Sequence, residues 1–285
     1  MIFGALIWLA SYPKSGNTWM RVILGALLFG RERAGAADIN ALEITDHAGN
    51  RGLVEAVSAC PSSELLADEL ERLRPAGFRF LAAHRSGLSV VKVHDAYRIG
   101  QRSASPFPAD VPAQAIYIVR NPLDVSVSFA AHLGVSLDEV IAIMADDFVL
   151  GAEGSGLGPQ LPQHLGSWSD HVRSWTGQDD IPVYVVRYED MVRDVEAELE
   201  RIARLLELPA TADDVSAAAA AGAFDRLQLA ESQAEFREKP ASLKGRFFRS
   251  GRAGGWREVL TNGQVDRLTE LHSDMMLRFG YLDDL

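Results

Sequence analysis

The beginning of the chain is the part that most limits how it can fold. A short apolar run, Leu6 to Ala10, breaks at Ser11-Tyr12-Pro13-Lys14-Ser15-Gly16 and gives way to helical spacing from Asn17 to Phe29. A strand that is apolar throughout is covered on both faces, which is the habit of parallel sheets. A glycine-bearing turn that feeds a helix exposes backbone N–H groups and the positive end of the helix dipole, and together these make an anion site. Lys14 adds a mobile positive charge, and Ser15, Asn17 and Thr18 add side-chain donors. A plain β–α turn with a capped helix would use the same residues, so this segment alone leaves both readings open.

Three further apolar runs repeat the strand pattern: Val90 to Val93, Ala115 to Val119 and Pro182 to Arg187. Helical spacing predicts helices near Asn17–Phe29, Ser62–Leu73, Pro122–Leu133, Leu137–Val149, Leu161–Trp175, Met191–Leu206, Ala212–Ala221 and Asn262–Phe279. Alternating strands and helices predict one α/β domain over residues 1–285, with a central parallel sheet flanked by helices on both faces. Gln101–Pro112 reads as a Pro/Ser-rich connection. Gly151–Pro162, with four glycines and two prolines, reads as a flexible loop and a candidate lid over an acceptor pocket.

Charge narrows the function. Against 28 Lys and Arg stand 39 Asp and Glu, a formal balance of −11, which counts against a nucleic-acid binder but leaves room for a local basic pocket. The single cysteine, Cys60, cannot close an internal disulfide and fits a reducing compartment. Met1–Ala10 is apolar but too short to span a bilayer, and no later run reaches that length, so a cytoplasmic protein without a membrane span is expected. The order GxxxxGK[ST] is absent because Lys14 precedes Gly16, which disfavours a P-loop kinase or NTPase.

The stretch YPKSGNTW, residues 12–19, resembles the YPKSGTTW loop of cytosolic-type sulfotransferases, with Asn17 in place of a threonine. Other motifs of that family follow in order. The segment from Ala115 to Phe129 is similar to the family's strand-and-helix motif for the 3′-phosphate of 3′-phosphoadenosine-5′-phosphosulfate (PAPS), which selects Arg120 and Ser128. Val186–Met191 carries a YEDM segment that selects Tyr188. Arg249–Arg257 resembles an RKGxxGxWK loop, so Arg249 and Gly251 carry over, while Ser250 stands where a lysine is usual. From Arg237 to Arg257 there are seven basic residues and one acid, Glu238, a cluster suited to an anion. By the same resemblance Trp19 and Tyr188 would contact the adenine, with Phe224 as a second stacking face.

The resemblance implies a P-loop NTPase-like fold. It also implies in-line sulfuryl transfer from PAPS to a hydroxyl of a small-molecule acceptor, releasing 3′,5′-adenosine bisphosphate without a metal. Val90–His94 is similar to a K-T-H segment, with Val93 for threonine, so His94 would be the base and Lys92 would help hold the sulfuryl or leaving group. Lys14 would stabilise charge on the bridging oxygen. His84 lacks the K-x-H context, and His47, His132, His164, His171 and His272 match no motif. On the predicted helix, His164 and His171 would share a face. The unmatched stretches between Leu28 and Leu88 and between Gly134 and Gly166 would wall the acceptor pocket, in the manner of bacterial enzymes that modify natural products. A family dimer motif survives only in part, at Arg257, Thr261-Asn262 and Asp266, which leaves the oligomeric state open. The competing readings are a small-molecule kinase and a nucleotide-binding module without catalysis.

Overall fold

The computed structural model describes residues 4–30, 45–97, 105–151, 160–234, 236–240, 242–283 and 285. Its strands are β1 (Ala5–Ser11), β2 (Thr45–His47), β3 (Leu88–Val93), β4 (Ala113–Val119), β5 (Val149–Leu150), β6 (Gln163–His164) and β7 (Val183–Arg187). Its helices are α1 (Asn17–Phe29), α2 (Arg51–Ser58), α3 (Ala67–His84), α4 (Pro122–Leu133), α5 (Leu137–Ala145) and α6 (Trp168–Thr176), then α7 (Tyr188–Arg193), α8 (Val195–Leu205), α9 (Ala212–Ala221), α10 (Phe224–Gln233) and α11 (Asn262–Arg278). The chain packs as two compact units. One comprises Met1–Tyr12, Thr45–Tyr117 and Ile143–Val185; the other comprises Pro13–Ile44, Ile118–Ala142 and Val186–Leu285.

The first unit is built on a five-stranded sheet of order β2-β3-β1-β4-β7. β3 runs parallel to both β1 and β2, with Ala10 opposite Val93. The four expected strands are all present, and β1 is central because its apolar run needs cover on every side: Leu6 to Ala10 are all buried. Trp8 packs edge-on against Phe78 of α3 at 4.9 Å and tilted against Phe107 at 5.0 Å. The edge strand β2 escaped the sequence reading because three half-buried residues, Thr45-Asp46-His47, carry no hydrophobic period.

Several helix boundaries differ from the expectation. The helix predicted over Ser62–Leu73 is α3, beginning at Ala67 and continuing through Pro75 to His84, because Phe78, Leu81 and Ala82 bury beyond the proline. Gly77 lets α2 approach, since a Cβ there would meet the Leu53 carbonyl oxygen at 2.9 Å. The helix predicted from Leu161 starts only at Trp168. Leu161 N–H donates to Gly49 at 2.8 Å, Gln163–His164 pairs with β5, and the Ser167 hydroxyl caps α6 by accepting from Asp170 N–H. His164 and His171 therefore share no helix face. The same pairing ends α5 at Ala145 rather than Val149. Of the Gly151–Pro162 segment, residues 152–159 lie outside the described residues, as do 101–104 of the Gln101–Pro112 connection.

In the second unit α1 is buried along most of its length, from Met20 to Ala26. Val22 joins Leu227, Phe236 and Phe248 in a core cluster. The expected Met191–Leu206 helix is two helices, α7 and α8, split at Asp194, whose carboxylate caps α8 at 3.0 Å from Ala197 N. α10 was not anticipated. No single helix among the described residues is long and apolar enough to cross a membrane.

Candidate active site

The YPKSGNTW turn is shaped by its backbone. Lys14 has φ +68° and Gly16 φ +105°, left-handed values that gather successive N–H groups into an anion-binding concavity at the start of α1. Gly16 is obligatory there on two counts: its φ, and Tyr188, whose Cδ2 a Cβ would meet at 2.6 Å. Ser15 is wholly buried and its hydroxyl has no hydrogen-bond partner within the protein. Since buried polar groups are rarely left unmatched, this points to a ligand. Asn17 is buried and Thr18 half-buried in the first turn of α1. The Lys14 ammonium lies 4.0 Å from the centroid of the Phe247 ring.

Arg120, just past the end of β4, ties three of the motifs together. One terminal nitrogen donates to the Lys14 carbonyl and the other to the Arg252 carbonyl, both at 3.1 Å, and the guanidinium lies 4.1 Å above the Tyr188 ring. Its Nε is buried without a protein partner. Ser128 is half-buried in α4. Burial raises the Tyr188 phenol above its usual range, against the pull of Arg120. Trp19 donates from its indole to the Gly222 carbonyl at 2.9 Å and meets Tyr188 edge-on at 5.7 Å. Phe224 begins α10, and a Cβ on Gly251, at φ +62°, would reach its ring at 2.5 Å. Arg249 and Ser250 are exposed.

Two carboxylates that the sequence reading passed over organise this surface. Asp124 holds the last loop: its oxygens accept from Gly254 N at 2.7 Å and Trp256 N at 3.0 Å. Glu189 accepts from Asn121 N and from the Tyr281 hydroxyl, each at 3.0 Å, and burial raises its carboxyl. Each adjoins a motif, in the segments NPLD and YED, which was the available signal.

In the first unit, β3 ends at Val93 and delivers His94 almost fully buried. Its Nδ1 donates to the Ser11 carbonyl at 2.8 Å, which leaves Nε2 with the lone pair. Burial, and next the Lys92 charge, hold the imidazole well below its usual pKa, against the Ser11 hydrogen bond; it is neutral near pH 7. Lys92 and His94 alternate with Val93, which is core, and so share the other side of the chain. His171, which matched no motif, donates from Nε2 to the His94 carbonyl at 3.0 Å. Next to His94, Asp95 is gripped by Arg74 through both carboxylate oxygens, and the Trp175 indole donates to its carbonyl.

Chemically, the second unit offers a backbone anion cradle, guanidinium groups and three aromatic rings, a donor set for a phosphorylated nucleoside. The first offers a neutral imidazole with an available lone pair. Comparison with known proteins points the same way. A family model described as "Sulfotransferase domain" matches residues 6–280. "Cytosolic sulfotransferase 15" of Arabidopsis thaliana is 26% identical over 94% of this chain and 71% of its own length. An "Amine sulfotransferase" of Oryctolagus cuniculus is 23% identical over 96% of this chain and 81% of its own length. Among solved structures, a mouse sulfotransferase complexed with PAP is similar at a TM-score of 0.60 and 22% identity, covering 96% of this chain and 86% of that one. Retinol dehydratase, in complex with androsterone and PAP, has a TM-score of 0.64 at 17% identity, covering 95% and 80%. At these identities the two structures establish the fold.

Proposed function

This chain belongs to the sulfotransferase family, and from that premise we propose that it transfers a sulfuryl group from PAPS to a hydroxyl of a small-molecule acceptor. The observation that carries the reading is the pair of buried, unmatched donors, Ser15 Oγ and Arg120 Nε, within motifs that belong to the family's phosphate-binding loops. PAPS, when bound, supplies an activated S–O bond. Ser15, Gly16, Asn17 and Thr18 would hold its 5′-phosphate, and Arg120, Ser128, Arg249, Ser250 and Gly251 its 3′-phosphate. Trp19, Tyr188 and Phe224 would flank the adenine.

In this reading the acceptor's O–H proton passes to Nε2 of His94 as the acceptor oxygen forms its bond to sulfur. The bond from sulfur to the bridging oxygen breaks, and its electron pair stays on the phosphate, where Lys14 neutralises it. Lys92 steadies the sulfuryl oxygens. A histidine kept neutral by burial is the form a base requires.

Isothermal titration with adenosine 3′,5′-bisphosphate and with ATP tests the nucleotide assignment; preference for ATP would sink it. A PAPS-fuelled acceptor screen, read by mass spectrometry for an added sulfo group, identifies the second substrate. His94→Ala should abolish transfer while nucleotide binding persists, whereas Arg249→Ala should weaken binding itself.

A further inference from the structure

The first unit contains a buried polar chain that the chemistry above does not use. Tyr117 of β4 places its hydroxyl 2.9 Å from Nδ1 of His171, and Nε2 of His171 lies 3.0 Å from the carbonyl oxygen of His94. Nδ1 of His94 lies 2.8 Å from the carbonyl oxygen of Ser11. Tyr117 and His171 are wholly buried, and the edge of Tyr12 closes on the His171 ring at 5.4 Å.

The direction of every hydrogen bond in this chain follows from its two carbonyls, which can only accept. Nε2 of His171 must therefore carry a proton to serve the His94 carbonyl. His171 is neutral, since burial lowers its pKa to about 4, so its Nδ1 has the lone pair and the Tyr117 hydroxyl must donate to it. At the other end, the Ser11 carbonyl requires the proton on Nδ1 of His94. Two buried histidines thus carry opposite tautomers.

We propose that Tyr117 and His171 are positioning residues that hold the main chain of His94 so that its ring keeps the Nδ1–H tautomer and keeps Nε2 open as the base. Without the Tyr117 hydroxyl, Nδ1 of His171 is a buried acceptor with no donor, and the ring, held at Nε2 alone, turns away from its native orientation. Its Nε2–H then leaves the 3.0 Å line to the His94 carbonyl, and that buried carbonyl loses its donor. The carbonyl moves, and the bond between His94 and Ser11 loses its geometry. The inference rests on His94 being the base, and the test keeps the two apart.

The test is imidazole 15N NMR on histidine-labelled full-length protein at pH 7.5, with His94→Asn and His171→Gln assigning the two rings. The expected wild-type result is a proton on Nδ1 of His94 and on Nε2 of His171. In Tyr117→Phe, which removes one oxygen atom, His171 should keep its Nε2 proton with a shifted Nδ1 resonance, and the fixed Nδ1–H tautomer of His94 should be lost. With PAPS and the acceptor found by the screen, kcat should fall roughly 10- to 100-fold, as for a misplaced catalytic group. Affinity for adenosine 3′,5′-bisphosphate should stay within about twofold of the wild type. His171→Gln, whose amide nitrogen can replace Nε2 as donor, should retain more turnover than His171→Leu; if the leucine variant fails to fold, Tyr117→Phe decides alone. A wild-type His94 protonated on Nε2, or a Tyr117→Phe protein with unchanged His94 resonances and kcat, would overturn the inference. Loss of turnover in His94→Ala alongside an unaffected Tyr117→Phe refutes the positioning role alone, whereas full activity of His94→Ala refutes the base and the positioning role with it.

Discussion

The turn at Lys14–Gly16 and the corner at His94 solve different problems by different means. The turn works through backbone: two left-handed residues, a helix start and a glycine pressed against Tyr188. Asn17 stands there for a threonine, and the turn has no room for an added Cβ at Gly16. The His94 corner works through side chains drawn from distant parts of the sequence, Tyr117 and His171 among them. Val93, which stands for a threonine, faces the core, and every polar group in the chain must keep its partner. A backbone-built site is written in consecutive residues, and a side-chain-built site is assembled only on folding.

Substitutions in the two regions should therefore fail in different ways. Lys14→Ala removes the proposed charge stabiliser, so turnover should fall roughly 10²- to 10³-fold with a much smaller change in bisphosphate affinity by calorimetry. An equal loss in both would make Lys14 a binding residue instead. Asp124→Ala removes the acceptor for two N–H groups of the Gly254–Trp256 loop, each charged hydrogen bond being worth about 1.5–3 kcal/mol. The expected result is weaker adenosine bisphosphate binding with the His94 NMR signals unchanged. In Gly16→Ala, strain of roughly 1–3 kcal/mol at a positive φ, added to the clash with Tyr188, should lower the melting temperature and bisphosphate affinity together.

Acid should expose the other region. His94 and His171 are both held below their usual pKa by burial, so the unfolded chain takes up protons at a pH where the native one does not. Their contribution to stability is complete above the unfolded value, about 6.5, and is lost as pH falls toward about 4, the value for His171. Urea melts at pH 7, 6 and 5 should show the folding constant dropping roughly threefold over the first unit and roughly eightfold over the second for each of these histidines. A flat profile would mean they are not buried neutral. The smallest effect expected is that of Trp19→Phe, which keeps an aromatic ring but leaves the Gly222 carbonyl without its donor, costing about 1 kcal/mol in a denaturant titration.

Much of the scaffold was legible without coordinates. The strands centred on Leu6–Ala10 and Ala115–Val119 and the helices Asn17–Phe29, Pro122–Leu133 and Ala212–Ala221 follow from apolar period and end signals, and each lies where expected. What failed was local pattern overridden by pairing at a distance: Leu161–Gly166 has helical spacing but is held extended by Gly49 and β5. Asp124 serves a loop 130 residues away, which no local pattern signals.

By itself the sequence determined a parallel α/β scaffold, its family, and the consecutive loops that carry Lys14, Arg120, Tyr188 and Arg249. Backbone conformation and hydrophobic period are properties of neighbouring residues, so these can be read in order. Only the tertiary structure decided which nitrogen of His94 holds the proton, and that His171, anonymous in the sequence, reaches its carbonyl. A tautomer is set by whichever acceptor folding brings to 2.8 Å, and Ser11 and His94 lie 83 residues apart.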